Sequence, residues 1–340
     1  MTKRSDWVDI AKGIGIIFVV LGHACIPYIC SISKVAVMIY HFIYLFHMPL
    51  FFYLSGYVFF TFSKRGSFRS FLKKKFRKLI VPYVCYIIFV YFIFYIFINF
   101  FKNSKYVYKV IGYSLINIKT FLFDIFLCNG TIDKHMWFIY VLFFIQLFAF
   151  LFDKKKWMLI ATNFISIFLG IFLQTINHNQ IVWSVIYYWF FFCLGRINIY
   201  EMLLKIKISI RGVITLLYFG FSIIYVFKVQ VIEYKGFIFY LIKMGMGLYG
   251  IVAILSVISF FNFNNFSILK YIGQNSFVIY LFHQPFIVSV GVMIIYIFTH
   301  SSFLSIAIGT VFGVFVPVLL KRLWERVCKH DKGEFNESKE

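Results

Sequence analysis

Long apolar stretches, separated by short polar and basic ones, fill the chain from end to end. Ten of them approach the ~20 residues needed to cross a hydrocarbon core. They run over roughly 7–29, 35–62, 79–101, 135–152, 157–174, 181–199, 209–227, 236–260, 271–297 and 303–320. A backbone in lipid has no water to bond with, so such runs are predicted to be helices. A weaker run, 107–128, is interrupted by Lys109, Asn117, Lys119 and Asp124. It is expected to lie at the interface rather than to span. The pattern therefore predicts an all-α, polytopic membrane helical bundle of about 10 transmembrane helices. Residues 1–325 are expected to form one integral membrane domain, and 326–340 a polar, disordered cytoplasmic tail.

Composition supports this reading. The 340 residues are 62% hydrophobic and 23% aromatic, more apolar surface than a soluble domain of this size could hide. The net charge of +22 does not indicate a nucleic-acid partner, because most Lys and Arg fall between the apolar runs, where they set topology and meet anionic lipid. With the N-terminus inside, basic residues are about threefold more abundant on the cytoplasmic side, so both ends are expected in the cytoplasm. The first run is too long for a signal peptide and has no small-residue cleavage site. Six cysteines lie in or beside apolar spans without a CxxC pair, and read as small packing residues.

Polar groups inside the spans carry the chemical information. The first span contains DIAKGIGIIFVVLGH, with Lys12 near one end and His23 well inside. Eleven residues is almost three helical turns, so Lys12 and His23 share a face about 16 Å apart along the axis. Asp9 lies one turn before Lys12. Gly13, Gly15 and Gly22 would admit a close neighbouring helix. Ionisable groups in lipid usually face a protein-lined or wet cavity, and this face reads as the wall of one.

The second span holds His41 and His47, six positions apart and so on different faces, with Pro49 just after expected to loosen the helix. Residues 64–78 carry eight basic side chains and read as an amphipathic segment on the cytoplasmic surface, with Arg77 placed to reach a phosphorylated ligand. Asp133, His135 and Trp137 cluster at the start of the fourth span. In the ninth, Asn275 or Ser276 is positioned to cap the helix start, and His283 follows Tyr280 by one turn and precedes Pro285.

Metal binding fits poorly, because the histidines lack short ligand spacings and intramembrane carboxylate partners. No phosphate-binding loop and no GxSxG elbow is present. What remains is a set of intramembrane histidines, a lysine and a basic rim. Imidazole can take a proton from a hydroxyl and return it to a leaving group near neutral pH. That chemistry suits acyl transfer to an alcohol, and it equally suits proton-coupled transport of a glycan or lipid.

Four stretches in order, RSDWVDIAKGIGIIFVVLGH, FHMPLFFYLSGYVF, FRKLIVPY with HMWFIYVLF, and IGQNSFVIYLFHQP, resemble the acyltransferase 3 family of integral membrane acyltransferases, notably its fucose 4-O-acetylase-like branch. The resemblance covers almost the whole chain. It implies a multi-pass enzyme of the bacterial inner membrane that takes an acetyl group from cytoplasmic acetyl-CoA, with no bound cofactor. The acceptor would be a sugar hydroxyl of a surface or lipid-linked glycan on the outer side. The family's first-helix motif, a basic residue followed eleven positions later by His, falls on Lys12 and His23. The resemblance makes His23 the catalytic base. Lys12, with Arg77 and Asp9 in support, would hold the acyl-CoA. His47, His135, Trp137, Tyr280 and His283 would line the acceptor side or the cavity. Lysine rather than arginine at position 12 would bind phosphate as a point charge and not bidentately.

Overall fold

The computed structural model describes residues 5–63, 66–100, 121–122, 125, 134–153, 156–175, 180–231, 236–261 and 266–337. The weak run 107–128 falls almost wholly outside them, as does Asp133. Among the described residues every regular element is helical. Seven helices are long and apolar enough to cross a membrane: Asp6–Ala24, Lys34–Phe62, Phe68–Ile96, Ile208–Lys228, Phe237–Ile258, Ser276–Thr299 and Ser302–Arg326. Three shorter apolar helices, Trp137–Phe152, Trp157–Leu173 and Ile181–Leu194, fall on the remaining predicted spans. The protein is an all-α, multi-pass membrane bundle, and each of the ten predicted runs falls on helical segments, although not every run is a single helix. The outward-facing side chains agree: Phe164, Phe168, Leu216 and Phe298 are all more than half exposed, as expected where lipid replaces water.

The chain divides into two compact units. The first comprises Met1–Leu54, Asn198–Tyr234 and Lys243–Glu340, and the second Ser55–Ile197 with Lys235–Ile242. In the first unit, helix α1 (Asp6–Ala24) is followed by a short α2 (Pro27–Ile32) and by the start of α3 (Lys34–Phe62). The first span was expected to continue to about Ile29, but α1 ends at Ala24. The cause is Pro27: the residue before a proline is driven out of the helical region, and Ile26 is extended at φ −63°, ψ 156°. Pro27 then opens α2, where its missing N–H costs no hydrogen bond. His23 therefore sits in the last turn of α1 rather than well inside a span. Helix α3 runs continuously through Pro49.

The later parts of this unit are helical as well. A short helix (Ile199–Leu204) precedes the long helices Ile208–Val231 and Phe237–Ile258. Next come a helix Ser267–Gln274 and a helix Ser276–Phe282. A π-helical segment His283–Val290 leads to a helix Gly291–Thr299, and the last helix is Ser302–Glu337. The predicted ninth span, 271–297, is thus not one helix but a broken series. Asn275 stands at the helix start, yet its side chain serves the previous helix, donating from Nδ2 to the Tyr271 carbonyl at 2.9 Å while Oδ1 accepts from Lys321 Nζ at 2.9 Å. The final helix continues as far as Glu337, through the residues expected to form a disordered tail.

Two glycines let the Ser267–Gln274 helix cross α1 backbone to backbone. A Cβ on Gly13 would collide with the Leu269 carbonyl, and one on Gly273 with the Asp9 carbonyl. Gly15 and Gly22 of α1 instead receive side chains from α3, Phe51 against the first and Ile43 with Tyr44 against the second. The predicted small-residue face is therefore used on both sides. Polar contacts fix the crossing: Lys270 Nζ lies 2.6 Å from Asp6 Oδ1, and Gln274 Nε2 donates to Asp9 Oδ2 at 3.2 Å.

In the second unit, the basic segment forms a helix Phe68–Lys75, which passes through a π-helical turn, Phe76–Ile80, into the helix Val81–Phe100. Phe71 is buried and stacks on Phe150 with centroids 4.4 Å apart, while Arg69, Lys73 and Lys74 face outward. This is the amphipathic arrangement expected of the stretch. Lys75 lies over the rings of Phe59 and Phe71, at 5.8 and 5.4 Å. The three shorter apolar helices complete this unit, and Arg196 pairs with Asp153 there.

Candidate active site

The crossing at Gly13 and Gly273 fixes the register of α1 against the chain after Gln274, and ten residues beyond each glycine that register brings two imidazoles together. About 15 Å further along α1, His23 meets His283 with ring centroids 5.1 Å apart and planes inclined at 59°. Tyr280 is the next ring, 6.0 Å from His283. His23 is partly buried, and His283 is wholly so.

The break in the chain after Phe282 explains how His283 is held. The last carbonyls of a helix have no backbone N–H to accept from. Here the Ile279 carbonyl accepts from the His283 backbone N–H, and the His283 ring adds a donor: its Nδ1 lies 3.0 Å from that carbonyl and 2.9 Å from the Tyr280 carbonyl. Carbonyls only accept, so Nδ1 carries the proton and, in the neutral ring, Nε2 carries the lone pair. The backbone then leaves the helical region at Gln284, φ −114° and ψ 158°, immediately before Pro285. Freed from the helix, Gln284 turns towards α1. Its Nε2 donates to the His23 carbonyl at 3.4 Å, while its Oε1 accepts from Ser289 Oγ at 2.7 Å.

Helix α3 brings a second polar group to the same unit. His47 is buried, with Nδ1 donating to the Ile43 carbonyl at 2.7 Å, so its Nε2 also carries the lone pair when neutral. Tyr44 packs edge-on to His47 at 4.7 Å and stacks on Tyr40 at 4.0 Å. Lys243 is close enough to act electrostatically on both His41 and His47.

At the other end of α1, Lys12 is partly buried and Asp9 is 1% exposed. The Gln274 contact ties Asp9 to the crossing helix, and Trp7 stacks on Tyr200 with centroids 5.0 Å apart. Burial raises the Tyr200 hydroxyl above its ordinary pKa, with Arg211 opposing. Just beyond α1, burial, helped by nearby Cys30, pushes the Cys25 thiol up to about 12. A thiol so shifted is not a thiolate near neutral pH, so Cys25 is a poor nucleophile. Among the described residues no three His, Cys, Asp or Glu side chains come together as a metal site would require.

The structure thus brings His23, His283 and Tyr280 together, and places Lys12, Asp9 and His47 in the same unit. Arg77, His135 and Trp137 belong to the second unit. Arg77 is exposed on the π-helical turn. His135 is 5% exposed and packs edge-on against Tyr86 at 5.7 Å. Trp137 lies against Tyr188 at 5.4 Å. Sequence reasoning missed Gln284, Ser289, Gln274 and the surroundings of Lys243. Gln284 carried a partial signal, since a pre-proline residue is biased out of the helical region, although Met48 before Pro49 stays helical.

A multi-pass bundle of long apolar helices with histidines packed among them is an integral membrane protein. The family model described as an acyltransferase domain, acyltransferase 3, matches residues 5–322, and the chain belongs to that family. No curated protein and no solved structure gives a match.

Proposed function

We propose that this membrane acyltransferase moves an acetyl group from cytoplasmic acetyl-CoA to a sugar hydroxyl of a surface or lipid-linked glycan on the outer side of a bacterial inner membrane. The observation that carries the reading is the imidazole pair of His23 and His283 at one end of a helix whose other half presents Lys12. In this scheme α1 is a rail across the bilayer. Lys12, near the cytoplasmic end, holds a phosphate of the CoA as a point charge. The phosphopantetheine arm runs along α1 and brings the thioester carbonyl to His23, about 16 Å away.

The His23 ring takes the proton of the acceptor hydroxyl as that oxygen attacks the carbonyl. The C–O bond forms, the C–S bond breaks, and the proton passes to the departing sulfur, giving the acetyl ester and free CoA thiol. His283, fixed through Nδ1, steadies the His23 ring and the charge it gains. Asp9 supports the donor side, and His47 and Tyr280 the acceptor side. The fucose 4-O-acetylase-like branch of the family is the source of the sugar-acceptor reading.

One observation favours a second reading, export of a glycan or lipid. The broken helix series from Ser267 to Thr299 has the discontinuous form that transporters use around a central site. Membranes carrying wild-type protein or His23→Ala at equal level, supplied with labelled acetyl-CoA, separate the two. Label reaching glycan only with wild type supports the transferase and its base. Equal labelling makes His23 structural. No labelling, together with intracellular glycan in a deletion strain, selects export.

A further inference from the structure

Lys243 has no part in the transfer scheme, yet it lies within an apolar helix, Phe237–Ile258, where an ionisable side chain usually marks a functional site. It is partly accessible rather than sealed in. Among the described residues no carboxylate pairs with it, and the nearest acid in sequence, Glu233, lies outside them. Its electrostatic neighbours are two imidazoles, His41 and His47, which can only add to a positive potential or leave it unchanged. A cation with two imidazoles beside it and no partner among the described carboxylates is arranged to receive an anion.

The same neighbourhood carries an aromatic platform. Tyr40 and Tyr44 stack at 4.0 Å, and Tyr44 continues to His47 at 4.7 Å. The Tyr44 ring also closes on Gly22, where a Cβ would stand 3.3 Å from it, and Gly22 adjoins His23. The tyrosine pair therefore continues to His47, an electrostatic neighbour of Lys243, and lies against the α1 glycine that precedes His23, all within one unit.

We propose that Lys243 binds an anionic group of the acceptor, so that the protein selects acidic glycans, whose charge is a sugar carboxylate or a phosphate ester linkage. The acceptor role rests on the transferase reading; the anion site itself does not. Lysine suits this task as a compact charge that accommodates either group without demanding bidentate geometry.

The test is a binding measurement on protein in nanodiscs, with empty discs as blank. The probes are three labelled short-chain glycosides: octyl glucuronide, octyl glucosyl phosphate and neutral octyl glucoside. Wild type is expected to bind at least one anionic probe about tenfold or more tightly than the neutral one, and which of the two it prefers identifies the source of the charge. Lys243→Gln should lose that preference with neutral binding unchanged, which also shows that the variant is folded. Lys243→Arg should keep it, and Glu233→Gln should behave as wild type. An absent preference in wild type, a preference surviving in Lys243→Gln, or a Glu233→Gln variant that mirrors Lys243→Gln would each overturn the proposal. Acetyl transfer to the same probes is read separately: if the anion preference behaves as expected and no probe is acetylated, the anion site stands and the transferase reading falls.

Discussion

His283 offers a way to separate structure from chemistry at one residue, because its two nitrogens do different work. Nδ1 donates to the carbonyls of Ile279 and Tyr280, Nε2 carries the lone pair in the neutral ring, and the centroid of the His23 ring is 5.1 Å away. In His283→Asn the side-chain amide nitrogen takes the place of Nδ1, so the carbonyls keep a donor while the base is lost. In His283→Leu both are lost. The site is fully buried, so the leucine variant removes the ring donor from the Tyr280 carbonyl at a cost of roughly 1–3 kcal/mol, while the Ile279 carbonyl keeps the backbone N–H of residue 283. The asparagine variant should unfold within a fraction of that of wild type. If the Nε2 edge assists proton transfer through His23, both variants should lose on the order of 100-fold in acetyl transfer, the lower end of what a positioned acid or base contributes. The assay pairs label transfer from acetyl-CoA in membranes with thermal unfolding of the solubilised protein. An asparagine variant that is stable and retains activity within about threefold would refute the argument, since a positioned proton-transfer group contributes far more than that.

Packing and burial supply two more predictions. Gly273→Ala puts a methyl group into the Asp9 carbonyl, which belongs to a helix and has no room to retreat, so it should destabilise by about 1–3 kcal/mol or more and reduce folded yield. Gly212→Ala, where a Cβ meets nothing, should not do so, and equal yields of the two would show that the crossing is not tight. The Cys25 thiol, ordinarily at 9.0 and held at about 12, should stay protonated in the folded protein between pH 7 and 9. Maleimide labelling of a variant whose only cysteine is Cys25 should therefore remain slow and flat across that range, while the denatured chain labels faster as pH rises. The sign is that of a proton kept by the folded state and shed by the unfolded one, so stability falls above about pH 9. Labelling of folded protein that rises in step with the denatured control would contradict it.

The helices were legible because lipid makes hydropathy nearly decisive: a run of ~20 apolar residues has few alternatives to a helix. The interruptions were harder to read. Pro27 stops the first helix five residues short of its apolar limit, and Pro285 breaks the ninth span, although both runs look uniform by hydropathy. Pro49 leaves its helix continuous, so the residue type alone does not decide. At the site, Lys12 and His23 could be placed on one face from spacing alone, since both lie on α1. That His23 would meet His283 could not be read this way, because no local pattern relates positions so distant in sequence. The Gly13–Gly273 crossing that sets their register is likewise a property of two separate segments.

The hydrogen bond from Gln284 to the His23 carbonyl spans 261 positions of sequence. It gives the protein an order of construction. A chain emerging N-terminus first inserts α1 at the outset, but His283 and Gln284 arrive only after eight of the ten apolar helices found among the described residues have been made. Until then α1 holds a lysine and a histidine in the bilayer with neither the crossing helix nor the facing ring in place. The His23–His283 contact forms only in the last stage of biogenesis, so a nascent or prematurely terminated chain lacks it.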